Sequence, residues 1–153
     1  MKTLNEWLER YAAYHKNPVN IVIHMVCVLL IFWSLLGVIW SIPAPEFLAV
    51  FPRIWVKLFI LLGLWFYWQL SELATLLMLL VSIVCLFSFY LLHQYSPYPD
   101  LLIYLFISVF IAAWLGQLIG YKIEGKKPAF MQDLFFLLIG PVWVLKHLGL
   151  LQK

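Results

Sequence analysis

Charged side chains are scarce in this chain: ten basic and seven acidic residues among 153, or 11%, where ordinary soluble domains carry about 25%. The scarcity is concentrated. Residues 17–45 hold no charge over 29 positions, residues 73–99 none over 27, and residues 101–121 none over 21. A helix needs about 20 apolar residues to cross a bilayer, so these gaps exclude a soluble globule and a disordered chain. The net charge of +3 sits in short loops flanking apolar runs, which excludes a nucleic-acid partner. Cysteine is nearly absent too. Cys27 and Cys85 fall in different apolar runs and form no CxxC, which reads as two small apolar groups rather than a zinc site or a disulfide framework. No removable leader is expected either. Residues 1–16 are polar and amphipathic, and the apolar run behind them is far longer than a signal core.

What remains is 65% apolar. The expected fold is all-α: a polytopic membrane helical bundle forming a single domain over residues 1–153. It has four spans, an N-terminal interfacial helix and a C-terminal fifth apolar segment. The spans are read at residues 18–42, 53–70, 72–94 and 99–121, and each must be helical because unpaired backbone groups cost several kcal/mol in lipid. Only residues 58–71 of the second are charge-free, so Arg53 and Lys57 must snorkel to the interface. Pro43, Pro45 and Pro52 bracket the first loop, Ser71 caps the third span, and Pro97 and Pro99 mark the third loop. The fifth segment, residues 129–145, is interrupted by Gly140-Pro141 and is compatible with a crossing or with a re-entrant dip.

Basic residues orient the bundle. Lys2, Arg10 and Lys16 precede the first span; Lys122, Lys126 and Lys127 follow the fourth. An even number of spans places both clusters on the cytoplasmic side, and this parity is the main reason for counting the second span. Trp7, Trp40, Trp55, Trp65, Trp68 and Trp114 lie near span ends as an anchoring belt. A bacterial inner membrane is the expected location, with the N-terminus on the cytoplasmic side. Nothing in the sequence sets an oligomeric state.

Residues Thr3-Leu4-Asn5-Glu6 fit a capping box. Leu4, Trp7, Leu8, Tyr11 and His15 then share one helical face, expected to lie apolar side down on the membrane. Asn17 caps the next helix and Pro18 takes its first position.

Polar residues are costly inside apolar helices, so their positions carry information. Asn17, Asn20 and His24 form one stripe at i, i+3 and i+7, with His15 just across the Asn17-Pro18 break. Gln117, Gly120, Tyr121 and Glu124 form another at i, i+3, i+4 and i+7. The topology brings both stripes to the cytoplasmic end. Two histidines and a carboxylate are the ligand set of non-haem iron(II) oxygenases, which makes His15, His24 and Glu124 candidate metal ligands. A hydrogen-bonded cluster that locks the first and fourth spans together explains the same pattern. His93, at the other end of the third span, lies roughly 20–25 Å away at 1.5 Å per residue, too far from His24 to share a haem. His93 and His147 read as interfacial, and Glu72 as a helix-end charge. A transporter is disfavoured, since no broken-helix pair lies near the midplane.

The run Tyr14-His15-Lys16-Asn17-Pro18-Val19-Asn20, with Ile23-His24, resembles the first signature of a small membrane-protein family. Gly116-Gln117-Leu118-Ile119-Gly120-Tyr121-Lys122-Ile123-Glu124-Gly125-Lys126-Lys127-Pro128-Ala129-Phe130, continued by Asp133 and Leu138-Ile139-Gly140-Pro141, resembles its second. The family is that of the yeast 2-hydroxy fatty acid dioxygenase of phytosphingosine degradation. The resemblance implies an Fe(2+)-dependent alpha-oxidation. A long-chain 2-hydroxy fatty acid reacts with dioxygen, loses its carboxyl carbon as carbon dioxide and leaves an acid one carbon shorter. His15 and His24 match the family's iron histidines, and Glu124 matches an acidic position. The family usually reads Gly-His where this chain has Gly120-Tyr121. Tyr121 and Glu124 are therefore the candidate catalytic groups, and Asn17, Asn20, Gln117, Lys126, Lys127 and Asp133 the candidate substrate contacts. The alternative is a non-catalytic lipid-binding or scaffold protein that keeps the fold.

Overall fold

A computed structural model describes residues 3–48, 50–126, 128 and 130–151, with the backbone alone over 130–134. Among these are six α-helices and no strand: α1 (Leu4–Ala12), α2 (Pro18–Ser41), α3 (Ile54–Trp68), α4 (Glu72–Tyr95), α5 (Leu102–Glu124) and α6 (Phe130–His147). Local chemistry sets the starts. The Thr3 hydroxyl accepts from the Glu6 N–H while the Glu6 carboxylate accepts from the Thr3 N–H, the reciprocal capping expected for α1. Asn17 Oδ1 accepts from the Val19 N–H at 2.9 Å with Pro18 behind it. Ser71 caps α4 through the Ala74 N–H. Gly125 ends α5 at φ 71°, a left-handed conformation that glycine adopts without strain.

Three segments, Pro18–Ser41, Glu72–Tyr95 and Pro99–Glu124, are long and apolar enough to cross a membrane. Their outer faces expose large apolar residues such as Val22, Leu80, Val84, Ile111 and Ile119, a surface that suits lipid rather than water. The second expected span is shorter. α3 has 15 residues, about 22 Å at 1.5 Å per residue, against a hydrocarbon core of about 30 Å. It nevertheless runs back along the bundle. At its start, Arg53 donates to the Trp40 carbonyl at 3.1 Å and lies 4.9 Å from the Trp40 ring centre, and Trp55 Nε1–H donates to the Pro43 carbonyl. At its end, Phe66 and Leu70 pack into the cluster that holds Ile21 and Met25 near the start of α2.

α2 and α5 form the main interface, and they run antiparallel. Gly37 faces Phe106, Cys27 faces Gly116, and Asn20 and His24 face Gly120. Each glycine stands where a Cβ would collide with its neighbour, 2.7 Å from Cys27 Sγ in the case of Gly116. Small residues let the backbones approach, the usual device where the surrounding lipid is as apolar as the side chains.

Two expectations need correction. The apolar face of α1 does not lie on lipid. Leu8 and Tyr11 are buried against Phe136, Ile139, Trp143 and Val144 of α6. The helix also stops at Ala12, so His15 belongs to the turn after it. The Gly140-Pro141 pair does not interrupt the last segment either. α6 continues through Pro141, and its Ile139–Leu145 stretch is buried throughout because α1, α2 and α4 all pack on it. A helix enclosed by protein is apolar all round, which is why its sequence resembles a span.

Candidate metal and substrate site

The site grows from the break between α1 and α2. Past Ala12 the chain turns on bonds from the Tyr14 N–H to the Tyr11 carbonyl and from the His15 N–H to the Ala12 carbonyl. That turn lays the His15 ring flat on Tyr11, with centres 4.2 Å apart and planes 7° from parallel. His15 Nδ1 donates back to the Tyr11 carbonyl at 2.6 Å. The next two backbone N–H groups belong to Lys16 and Asn17. They sit just outside the start of α2, where the helix offers them no partner. Both donate to Glu124 at the end of α5, at 3.0 and 2.9 Å. Asn20 Nδ2 adds a third bond to the same carboxylate at 2.9 Å and also donates to the Tyr14 carbonyl at 3.0 Å. A negative charge at its own helix C-terminus is unfavourable, and these donors at the positive end of α2 offset that. Glu124 therefore clamps the turn that carries His15 to the beginning of α2.

One turn deeper, His24 Nδ1 donates to the Asn20 carbonyl at 3.2 Å. A carbonyl only accepts, so the Nδ1 atoms of both histidines carry a proton. The His15 and His24 rings meet edge to face with centres 4.3 Å apart at 75°. Tyr121 completes the group, its ring centre 4.7 Å from His24 and 6.2 Å from His15. Trp143 closes the side from α6, 5.3 Å from His15 and 5.1 Å from Tyr11. His24 and Asn20 are both 0% exposed. His24 Nε2 and Asn20 Oδ1 are buried with no hydrogen-bond partner among the described residues, an arrangement that costs roughly 1–3 kcal/mol per group unless a ligand meets it. Gly120 makes the packing possible: a Cβ there would overlap Asn20 Oδ1 and lie 2.7 Å from His24 Cε1.

The His15 and His24 rings stand 4.3 Å apart, and His24 Nε2 is buried with no partner among the described residues, a lone pair of the kind that divalent transition metals take. The backbone carbonyls that hold both Nδ1–H groups are the usual outer support of such ligands.

The carboxylate does not join them as the sequence suggests. Among the described residues no three His, Cys, Asp or Glu side chains come together at ligand spacing. Glu124 has its oxygens engaged by Lys16, Asn17 and Asn20 instead. The other candidates divide. Asn17 Oδ1 is taken up as the cap of α2, and the amide N–H groups of Asn20 by Tyr14 and Glu124. Gln117 is half-buried one turn before Tyr121, and Lys126 is exposed just past the end of α5. Lys127 and the side chain of Asp133 lie outside the described residues. His93 is exposed at the opposite end of the bundle, and His147 lies against Trp143 at 4.4 Å. Tyr11 and Trp143, two walls of the site, are absent from the sequence-derived set. The Tyr11-His15 spacing of four could have suggested the first. Trp143 carried no signal apart from its place two residues after Pro141.

A family model described as "2-hydroxy-palmitic acid dioxygenase Mpo1-like" matches residues 1–150, nearly the whole chain. No curated protein and no solved structure matches it.

Proposed function

Because the chain belongs to the Mpo1-like family, we propose that it is an Fe(2+)-dependent dioxygenase that converts long-chain 2-hydroxy fatty acids to the one-carbon-shorter acid and carbon dioxide. The observation that carries this reading is the buried imidazole pair, with His15 and His24 tethered through Nδ1 and His24 Nε2 buried with no hydrogen-bond partner among the described residues. The reaction balances as RCH(OH)COOH + O2 → RCOOH + CO2 + H2O. All four electrons taken up by dioxygen come from the substrate, so the stoichiometry needs no external reductant. Iron(II) held by His15 and His24 would supply the centre at which the 2-hydroxy acid and dioxygen are brought together and activated.

The chain's own residues do the rest. Tyr11 and Trp143 cover His15 and keep bulk water from it. Glu124 fixes the turn that presents His15. Asn20 Oδ1 offers a buried acceptor for the substrate hydroxyl. Lys126 and Lys127, by their charge and their place in the sequence, are suited to draw the carboxylate in from the cytoplasmic leaflet, and Gln117 and Asp133 to meet the polar end of the substrate by hydrogen bonding. The acyl tail then stays among the apolar helices of an inner membrane and needs no aqueous route. The test is to give detergent-purified, iron(II)-loaded protein 2-hydroxypalmitic acid and dioxygen. The expected products are the fifteen-carbon acid and carbon dioxide in equal amounts. Folded, iron-loaded protein that makes neither would overturn the reading.

The engagement of Glu124 by backbone donors favours one second reading, a lipid-binding protein that has kept the fold and lost the reaction. Tyr121→His separates the two. Activity gained by the variant and absent from the parent supports the second reading; activity already present in the parent supports the first.

A further inference from the structure

Close packing accounts for most of the glycines inside helices. At Gly37, Gly116, Gly120 and Gly140 a Cβ would come within 3.0 Å of a neighbouring side chain. Gly63, in the middle of α3, is different. A Cβ there would meet nothing nearer than Tyr67 Cε2 at 3.9 Å, although glycine weakens a helix interior relative to alanine. What Gly63 does instead is line a cavity, with Phe32 and Leu36 of α2, Tyr67 of α3, Ser82 of α4 and Leu138 of α6. We infer that this cavity binds dioxygen on its way from the lipid to the imidazole pair. The identity of the guest rests on the proposed dioxygenase reading; the fit to a small apolar molecule does not.

Size and polarity select the guest. The space open to the centre of a water-sized sphere is about 10 Å³, close to the least that holds one small molecule. An acyl chain is far too long for it. The polar groups of the lining side chains are the Tyr67 and Ser82 hydroxyls, and both donate elsewhere. Tyr67 bonds the Leu138 carbonyl at 2.7 Å and Ser82 the Met78 carbonyl at 2.8 Å. A buried water needs about two to four polar partners, so this space stays dry and suits an apolar guest. Dioxygen is the small apolar reactant of the proposed reaction, and like other apolar solutes it favours hydrocarbon over water.

Position connects the cavity to both ends of the route. It is partly open at the outer surface, and on α3 that surface exposes Leu61, Leu62 and Trp65, a face for lipid. Inward, Phe32 follows His24 by eight positions on α2, about 12 Å at 1.5 Å per residue. Leu138 adjoins Ile139, which is buried in one cluster with Val28, Tyr11 and Trp143, and Tyr11 and Trp143 are the rings that wall His15. Only apolar side chains and aromatic rings fill the way between. A gas molecule crosses such packing as rotamers fluctuate; bulk water does not. Dioxygen thus enters from the side, apart from the charged end where the acid's carboxylate arrives.

The experiment uses the whole detergent-purified protein, before iron is added, with isotope-labelled leucine methyl groups. Dioxygen is paramagnetic and speeds the relaxation of nuclei it visits. Under rising dioxygen pressure, with nitrogen as the blank, the Leu36 and Leu138 methyls should show an enhancement that saturates. At Leu62, exposed beside Gly63 on α3, it should rise in proportion to pressure. Gly63→Leu fills the space and should abolish the saturating enhancement. Gly63→Ala, whose Cβ has room, should reduce it, and serves alone if the leucine variant does not fold. Proportional enhancement at all three methyls overturns the inference, and so does a saturating one that survives both variants. Loss of the enhancement on adding 2-hydroxypalmitic acid would make the cavity an acyl seat and overturn it too. With iron(II)-loaded protein, Gly63→Leu should raise KM for dioxygen and leave kcat unchanged; an unchanged KM overturns the passage to the imidazoles. Protein that binds dioxygen in the cavity yet oxidises no 2-hydroxy acid overturns the dioxygenase reading and leaves the binding site standing.

Discussion

The bond between Asn20 and Glu124 crosses 104 residues of sequence and can be weighed by a double-mutant cycle. The perturbations are Asn20→Ala, Glu124→Ala and the pair together. The carboxylate receives three N–H donors at 2.9–3.0 Å. A hydrogen bond to a charged acceptor contributes about 1.5–3 kcal/mol in a protein interior. Two facts reduce that figure. Lys16 and its N–H are exposed, so water replaces Glu124 there at little cost. Side-chain hydrogen bonds measured inside membrane proteins average about 0.6 kcal/mol and reach about 1.7, because the unpacked state also finds partners. Asn20 is fully buried, which keeps its own bond near the upper end. The expected coupling between the two side chains is therefore about 1–1.5 kcal/mol, and Glu124→Ala alone should cost about 2 kcal/mol. Unfolding is followed by circular dichroism in mixed micelles as the fraction of dodecyl sulfate rises. If the two single effects add to within about 0.3 kcal/mol of the double, the Asn20–Glu124 bond does not contribute to the folded protein; if Glu124→Ala alone leaves the midpoint unchanged, the clamp does not exist and the account of how His15 is held is wrong.

Gly120→Ala should lower stability by about 1–3 kcal/mol through overpacking against Asn20 and His24, seen as a lower unfolding midpoint in the same micelles; an unchanged midpoint contradicts the close approach of α2 and α5. His24→Ala should abolish iron uptake, whereas His93→Ala, at the exposed far end of α4, should leave one iron per chain by elemental analysis. Tyr67→Phe removes an O–H that donates to the Leu138 carbonyl at 2.7 Å and should cost about 1 kcal/mol with iron binding unaltered, since it joins α3 to α6 away from the imidazoles.

Much of the helix plan could be read from charge gaps and caps. Asn17-Pro18, Ser71 and Gly125 each end or start a helix where their chemistry says, and the long spans agree with the helices to within a few residues at most ends. Periodicity identified the buried face of α1 but could not name what covers it, because an apolar stripe is the same whether it meets lipid or α6. For the same reason the enclosed helix α6 read as a possible crossing. At the site, the spacing rules brought His15, His24, Tyr121 and Glu124 to one end of the bundle. They could not foresee that Glu124 turns to backbone N–H groups, since such donors are present at every residue and leave no mark in the sequence. Trp143 was invisible because its partners come from the opposite end of the chain.

The antiparallel seam of α2 and α5 also has a consequence in time. His15 leaves the ribosome early, yet the carboxylate that secures its turn follows 108 positions after Lys16. At translation rates of about 5–20 residues per second, that delay is roughly 5–20 s. Throughout that interval the turn that carries His15 lacks its clamp, so the imidazole pair reaches its final arrangement only after α5 has been made and has packed on α2.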